Sequence, residues 1–425
     1  MKVVAASDAA AMEGLLDTGW SVSEETVREV ADILAAVRAR GDAAIAEYSR
    51  RFDYPGFELS QMRIPIPMME GAKSLVSGEI AAAYELAKER IARFHERQRQ
   101  PDTAYVERDG TRYALRRCAL ASVAIYAPQT SAAMSVLMGA VPARIAGVSR
   151  IAVFTPPSPG GVGAAVLYAC ALCGVDELYA IGGAQAISAA AFGTGSVPRL
   201  VKIVGRGGRW TTEAKRQVFG VCGIDALAGP AEALIVADDG ANSEYVAGEL
   251  LAQAELPGTA RLAVISESRS LLEAVAQLID TLDVRTLERN EFLSDAIATR
   301  CRLIEAGSRE ELFDVVNRFA PATLSLQVRD ASAYLERIRS AGIVFVGDMT
   351  PLVAGEYLAG VNCVAPSAGT ARFASSLSLS EFTRSFSAVE YTGERIESDT
   401  AALVTLADAD NLPHHAQTAR LRSGA

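Results

Sequence analysis

From about residue 123 onward, short apolar runs rich in β-branched residues alternate with Ala-rich helical segments. That alternation restricts the chain to βαβ units built around mostly parallel sheets. Val123–Tyr126, Ile151–Phe154 and Asp176–Ile181 read as strands, each followed by a Pro- or Gly-containing turn and a helix. The alternation restarts after 218–230. Ala233–Ala237 and Leu262–Ser266 read as strands around a helix over Glu244–Gln253. A helical stretch over about 270–282 follows, and Ile343–Gly347 is a later strand. Upstream, Val27, Val30, Ile33, Leu34 and Val37 recur at helical spacing after the candidate caps Ser21 and Ser23, so 21–49 reads as helices. A further helix over roughly Glu79–Gln98 is expected to bury Ala83, Leu86, Ile91 and Phe94.

Composition narrows the function classes. The 425 residues are 50% hydrophobic, enough for two or three domains with a sizeable core. A net charge of −10 with no long basic run argues against nucleic acid or an anionic membrane as partner. No apolar run reaches the roughly 18 residues of a membrane span. The N-terminus lacks a convincing signal peptide, because Ser7 and Asp8 break its apolar stretch. A cytoplasmic protein is expected. The six cysteines are scattered, which does not suggest a disulfide framework. Cys170 and Cys173 form a C-x-x-C that reads as two small apolar residues on a buried helix face, with no second pair to complete a metal site.

Several segments carry a more specific signal. They are GDAAIAEYSRRFD (Gly41–Asp53), VAIYAP (Val123–Pro128), ELYAIGGAQAISAAAFGTGSVP (Glu177–Pro198) and GEYLAGVNCVAPSAGTARF (Gly355–Phe373). In this order they resemble the histidinol dehydrogenase family across nearly the whole chain. The resemblance implies two Rossmann-like α/β domains with parallel-rich sheets, N-terminal helices and a small C-terminal helical tail domain. The expected boundaries are 1–21 for an N-terminal segment, 22–125 plus 232–383 for the first α/β domain, 126–231 for the second and 384–425 for a dimerisation tail. It also implies a homodimer whose tail delivers a histidine to the neighbouring site. The family oxidises an amino alcohol with two NAD molecules, a zinc ion and a Glu-His pair of general bases.

The positions matching those roles have changed. Among the zinc-ligand positions, Gln253, Glu356 and His415 keep donor atoms, but the fourth is Leu256. The Glu-His bases correspond to Ala322 and Thr323, neither of which is a base near neutral pH. The substrate-contacting serine corresponds to Ala231 in the 229–232 loop, and the matching C-terminal carboxylate is Asp410. Tyr126 and Gln185 match NAD contacts, whereas an asparagine contact is replaced by Gly208. Arg206 and Trp210 crowd the same turn, where a guanidinium can hold an anion and an indole can stack on a ring. Cys363 replaces a histidine and is a candidate thiol nucleophile, with Arg372 nearby in sequence.

These changes predict a repurposed NAD(P)-dependent oxidoreductase acting on an alcohol or aldehyde other than histidinol. NAD or NADP is the cofactor such a frame accommodates, and zinc is not expected. Two other readings remain at this point. One is a non-catalytic paralogue that binds a small ligand or a partner. The other is a non-redox enzyme using Cys363, Glu356 or His415, with the pocket otherwise lined by Gln253, Ala231, Ala322, Thr323, Asp410 and Trp210.

Overall fold

The computed structural model describes residues 1–13, 15–16, 21–227, 229, 231–256, 258, 261–281 and 290–423. They fall into two compact units. One comprises Met1–Gln98 with Leu120–Phe382, the other Arg99–Ala119 with Thr383–Ala425.

The larger unit holds two six-stranded sheets. In the first, the spatial order is Val3–Ala5, Cys301–Glu305, Arg261–Ser266, Glu232–Ala237, Thr323–Gln327 and Ile343–Val346, with every neighbouring pair parallel. In the second, the order is Arg63–Ile64, Glu177–Ala180, Arg150–Thr155, Ser122–Tyr126, Lys202–Val204 and Gly223–Ile224. Here only the short Arg63–Ile64 edge runs antiparallel. Both sheets are doubly wound. The chain runs outward from a central strand on one side, then crosses to that strand's other side. In such sheets the crevice beyond the carboxyl ends of the strands at the crossing point is the natural ligand site.

The predicted strands appear within a residue or so at each end. The N-terminal helices also follow local rules. Glu24–Arg40 starts at Ser23, whose side chain accepts from Thr26 N at 3.2 Å, and stops at Gly41, where φ is +57°. Val30, Ile33, Leu34 and Val37 point inward, packing with Ala124, Tyr126 and Phe154 of the second sheet. These helices bury their apolar face against the sheet formed from strands within residues 122–224.

The helix Gly78–Glu96 differs from expectation on its buried face. Ala87, Ile91 and His95 are buried, whereas Leu86 and Phe94 are 39% and 41% exposed. The small side chains allow close approach to the helix Ala132–Ala146. Cys170 and Cys173 are both buried at the end of Ala164–Leu172, and burial pushes the Cys173 thiol up to about 12. They behave as small apolar residues. Leu282, at the expected end of the 270–282 helix, and Pro230 of the 229–232 loop lie outside the described residues.

The smaller unit has an antiparallel sheet ordered Thr383–Glu390, Arg112–Ala119, Thr103–Val106, followed by the helices Gly393–Ala409 and Pro413–Ser423. Within the tail expected over 384–425, the first segment pairs with residues 112–119 and the two helices follow it. Among the described residues, no helix is long and apolar enough to cross a membrane.

Candidate active site

The crossing point of the second sheet opens onto a cavity of about 530 Å³. Pro128–Ser131 line it from the end of strand Ser122–Tyr126, and Arg206–Arg209 from the end of strand Lys202–Val204. Ala231, Leu256 and Glu356 close it from the other α/β half of the same unit. Five of the sequence-predicted positions therefore meet here: Arg206, Gly208, Ala231, Leu256 and Glu356.

At its floor, the Arg206 guanidinium grips Glu356 through two bonds. Nη2 donates to Oε2 at 2.6 Å and Nη1 to Oε1 at 3.3 Å. Nη2 also lies 3.3 Å from the Cys363 sulfur. A two-pronged charge-assisted contact of this kind fixes both partners in orientation. Cys363 is 4% exposed, and burial pushes its thiol up to about 12 despite the adjacent guanidinium. The side chain is a neutral thiol near pH 7, which does not suit the nucleophile expected from sequence. Arg372 does not reach it. Its Nη2 donates instead to Leu16 O at 3.0 Å and to Arg318 O.

The segment 355–373 acts mainly as scaffold around this floor. The Asn362 side chain donates to Met138 O at 2.7 Å and accepts from Val364 N at 3.1 Å. Ser367 Oγ accepts from Gly229 N at 2.7 Å, holding the loop that carries Ala231. Ala368 N donates to Glu232 Oε1 at 2.9 Å. His95 is fully buried, with Nδ1 2.8 Å from Ile91 O.

The remaining predicted positions of the larger unit do not line this cavity. Thr323 opens a central strand, and its hydroxyl donates to Glu232 O at 2.8 Å, while Ala322 is buried beside it. Neither lines the cavity. Gln253 is buried on the helix Ser243–Ala254. Asp410 and His415 are exposed residues of the smaller unit.

Gln185 and Trp210 line a second recess, with Tyr126 buried next to its Gly183 wall. Tyr126 is buried, and its hydroxyl accepts from Gly183 N at 3.1 Å. That bond fixes the Gly182-Gly183 turn at the start of the helix Gly183–Phe192. Beside it lies a cavity of about 310 Å³ lined by Phe52, Asp53, Gly183, Gln185 and Trp210, among others. Gln185 Nε2 donates to Asp53 Oδ2 at 3.3 Å. Burial lifts the Asp53 carboxyl to about 6, against the pull of that bond. Two aromatic rings, a carboxylate and an amide suit a flat ring bearing polar groups. Asp53 was quoted from sequence only as the end of the 41–53 segment. Its position beside Gln185, 132 residues away, had no local signal.

Both Glu356 oxygens face Arg206, position 256 is a hydrocarbon and Cys363 is protonated. Among the described residues no group of three or more His, Cys, Asp or Glu side chains is placed to hold a metal.

The histidinol dehydrogenase family model matches residues 19–423. Histidinol dehydrogenase of Listeria monocytogenes is 37% identical over 408 residues, covering 96% of this chain and 94% of its own. That of Agrobacterium fabrum is 39% identical over 409 residues, with the same coverage of both chains. The crystal structure of histidinol dehydrogenase from Elizabethkingia anophelis superposes with a TM-score of 0.91 at 29% identity, covering 99% of this chain and 98% of that one. With an α/β frame and a cavity at the sheet crossing, and with sequence likeness running through both, the chain belongs to the histidinol dehydrogenase family.

Proposed function

We propose that this chain is an oxidoreductase that carries out the oxidation of histidinol. The observation that supports this most is the end-to-end relationship to proteins named histidinol dehydrogenase, at an identity that leaves no domain unmatched. It replaces the expectation of a repurposed oxidoreductase acting on another alcohol or aldehyde, together with the non-catalytic and non-redox alternatives. Those rested on single positions, whereas the likeness extends over the frame that builds the pocket.

The expectation about cofactors is corrected in the same way. Membership of a family that uses NAD and zinc overturns the reading in which zinc is not expected. NAD would be held by Tyr126, Gln185 and the turn at Gly182-Gly183, and when bound it supplies the hydride acceptor. Glu356 is the sole carboxylate among the described residues lining the larger cavity. Its Oε1, on the longer 3.3 Å bond to Arg206, is the atom able to take the alcohol proton or to pair with the substrate's ammonium, while Arg206 fixes the carboxylate through Oε2 at 2.6 Å. Cytoplasmic placement and a homodimer complete the proposal. Six free cysteines support the first. Exposed Phe386, Val389, Leu406 and Leu421 on the smaller unit support the second.

The test is direct. Purified protein given NAD, zinc and histidinol forms NADH, and Glu356→Gln lowers kcat/KM about 100-fold while NAD affinity is unchanged. Wild-type protein that forms no NADH under these conditions contradicts the proposal.

A further inference from the structure

Arg206 reaches Glu356 from a turn that is itself held by an ion pair outside the cavity. Lys215 and Asp225 are in contact, with side chains only 1% and 2% exposed. Lys215 sits on the helix Arg209–Val218 that begins just after the turn, and Asp225 directly follows the edge strand Gly223–Ile224. Both charges converge on the residue before Arg206. Asp225 Oδ2 accepts from Gly205 N at 2.8 Å, and Lys215 Nζ donates to Gly205 O at 2.9 Å. Lys215 Nζ also donates to Ala226 O at 3.3 Å. Gly205 adopts φ +117°, and a Cβ there would stand 2.3 Å from Tyr126 O. Its peptide groups are thus gripped on both sides in a conformation that other residues rarely adopt.

A buried ion pair is on average no better for stability than well-packed apolar side chains. Its value at this place is directional, because a two-pronged guanidinium contact tolerates little rotation of the backbone that carries it. We propose that the Lys215–Asp225 pair is a positioning device. It fixes the Gly205 peptides so that the Arg206 guanidinium meets Glu356 at the cavity floor. This inference does not rest on which substrate the cavity takes.

The test measures the coupling between Arg206 and Glu356, not activity. A double-mutant cycle with Arg206→Met and Glu356→Gln, read by urea unfolding, gives that coupling in the wild-type chain. The cycle is repeated in a background carrying Lys215→Met with Asp225→Leu, which removes both charges without leaving one buried alone. The expected result is loss of the coupling. A pair that only adds local stability would lower every unfolding midpoint and leave the coupling unchanged, and that outcome overturns the proposal. If the double background does not fold, Lys215→Met alone replaces it. There the coupling is expected to fall by at least half, and an unchanged value overturns the proposal equally.

Discussion

Asp53→Asn should stabilise the protein near neutral pH and do much less in acid. The Asp53 carboxyl is lifted from 3.8 to about 6 by burial. The folded state therefore holds this proton more tightly than the unfolded chain does. The sign follows from linkage. The group's contribution is fully present below about 3.8 and is lost as pH rises through about 6, because ionisation then costs the folded state. Roughly two pKa units at ~1.4 kcal/mol each set a ceiling near 3 kcal/mol. Asp53 keeps partial contact with solvent, which screens the effect, so about 1 kcal/mol is the working value. Asparagine keeps an oxygen to accept from Gln185 and cannot ionise. Urea unfolding of variant and wild type at about pH 4 and about pH 7.5 isolates the term, since the other carboxylates cancel in the difference. The stability advantage of the variant should grow by about 1 kcal/mol between the two conditions. A pH-independent difference, or an advantage that shrinks as pH rises, would refute the reasoning.

Other perturbations probe different parts of the frame. Arg261→Met leaves Glu232 buried without the guanidinium that donates to both its oxygens at 3.0 and 2.9 Å, so denaturant unfolding should show a loss of about 3–5 kcal/mol. Gly205→Ala combines a positive φ with a Cβ in contact with Tyr126 O and should cost about 3 kcal/mol, read as a lower thermal midpoint. Light scattering at micromolar concentration should report a dimer, and a monomer there would remove the basis for a site completed by a partner's tail.

The sequence showed the frame more clearly than the site, for physical reasons. Strands such as Ile151–Phe154 were legible because both faces are buried, leaving an unbroken apolar run. Cys301–Glu305 was not, since Arg302 and Glu305 interrupt its apolar character, and Lys202–Val204 is too short to register. Thr383–Glu390 reads as polar because nearly all of it is exposed. In the site, Glu356 and Cys363 stood out within a recognisable segment. Their partner Arg206 lies 150 residues from Glu356, so its carboxylate contact could not be inferred from spacing. Lys215 was quieter still. It sits in the polar run RWTTEAKRQV, which looks like a solvated helix, yet it is fully buried.

The central claim is that this frame oxidises histidinol. Mass-spectrometric analysis of products after incubation with histidinol, NAD and zinc tests it most directly. The account predicts that histidine appears together with NADH, and that Glu356→Gln slows the formation of both about 100-fold. Histidinol recovered unchanged from folded wild-type protein that binds NAD would contradict it.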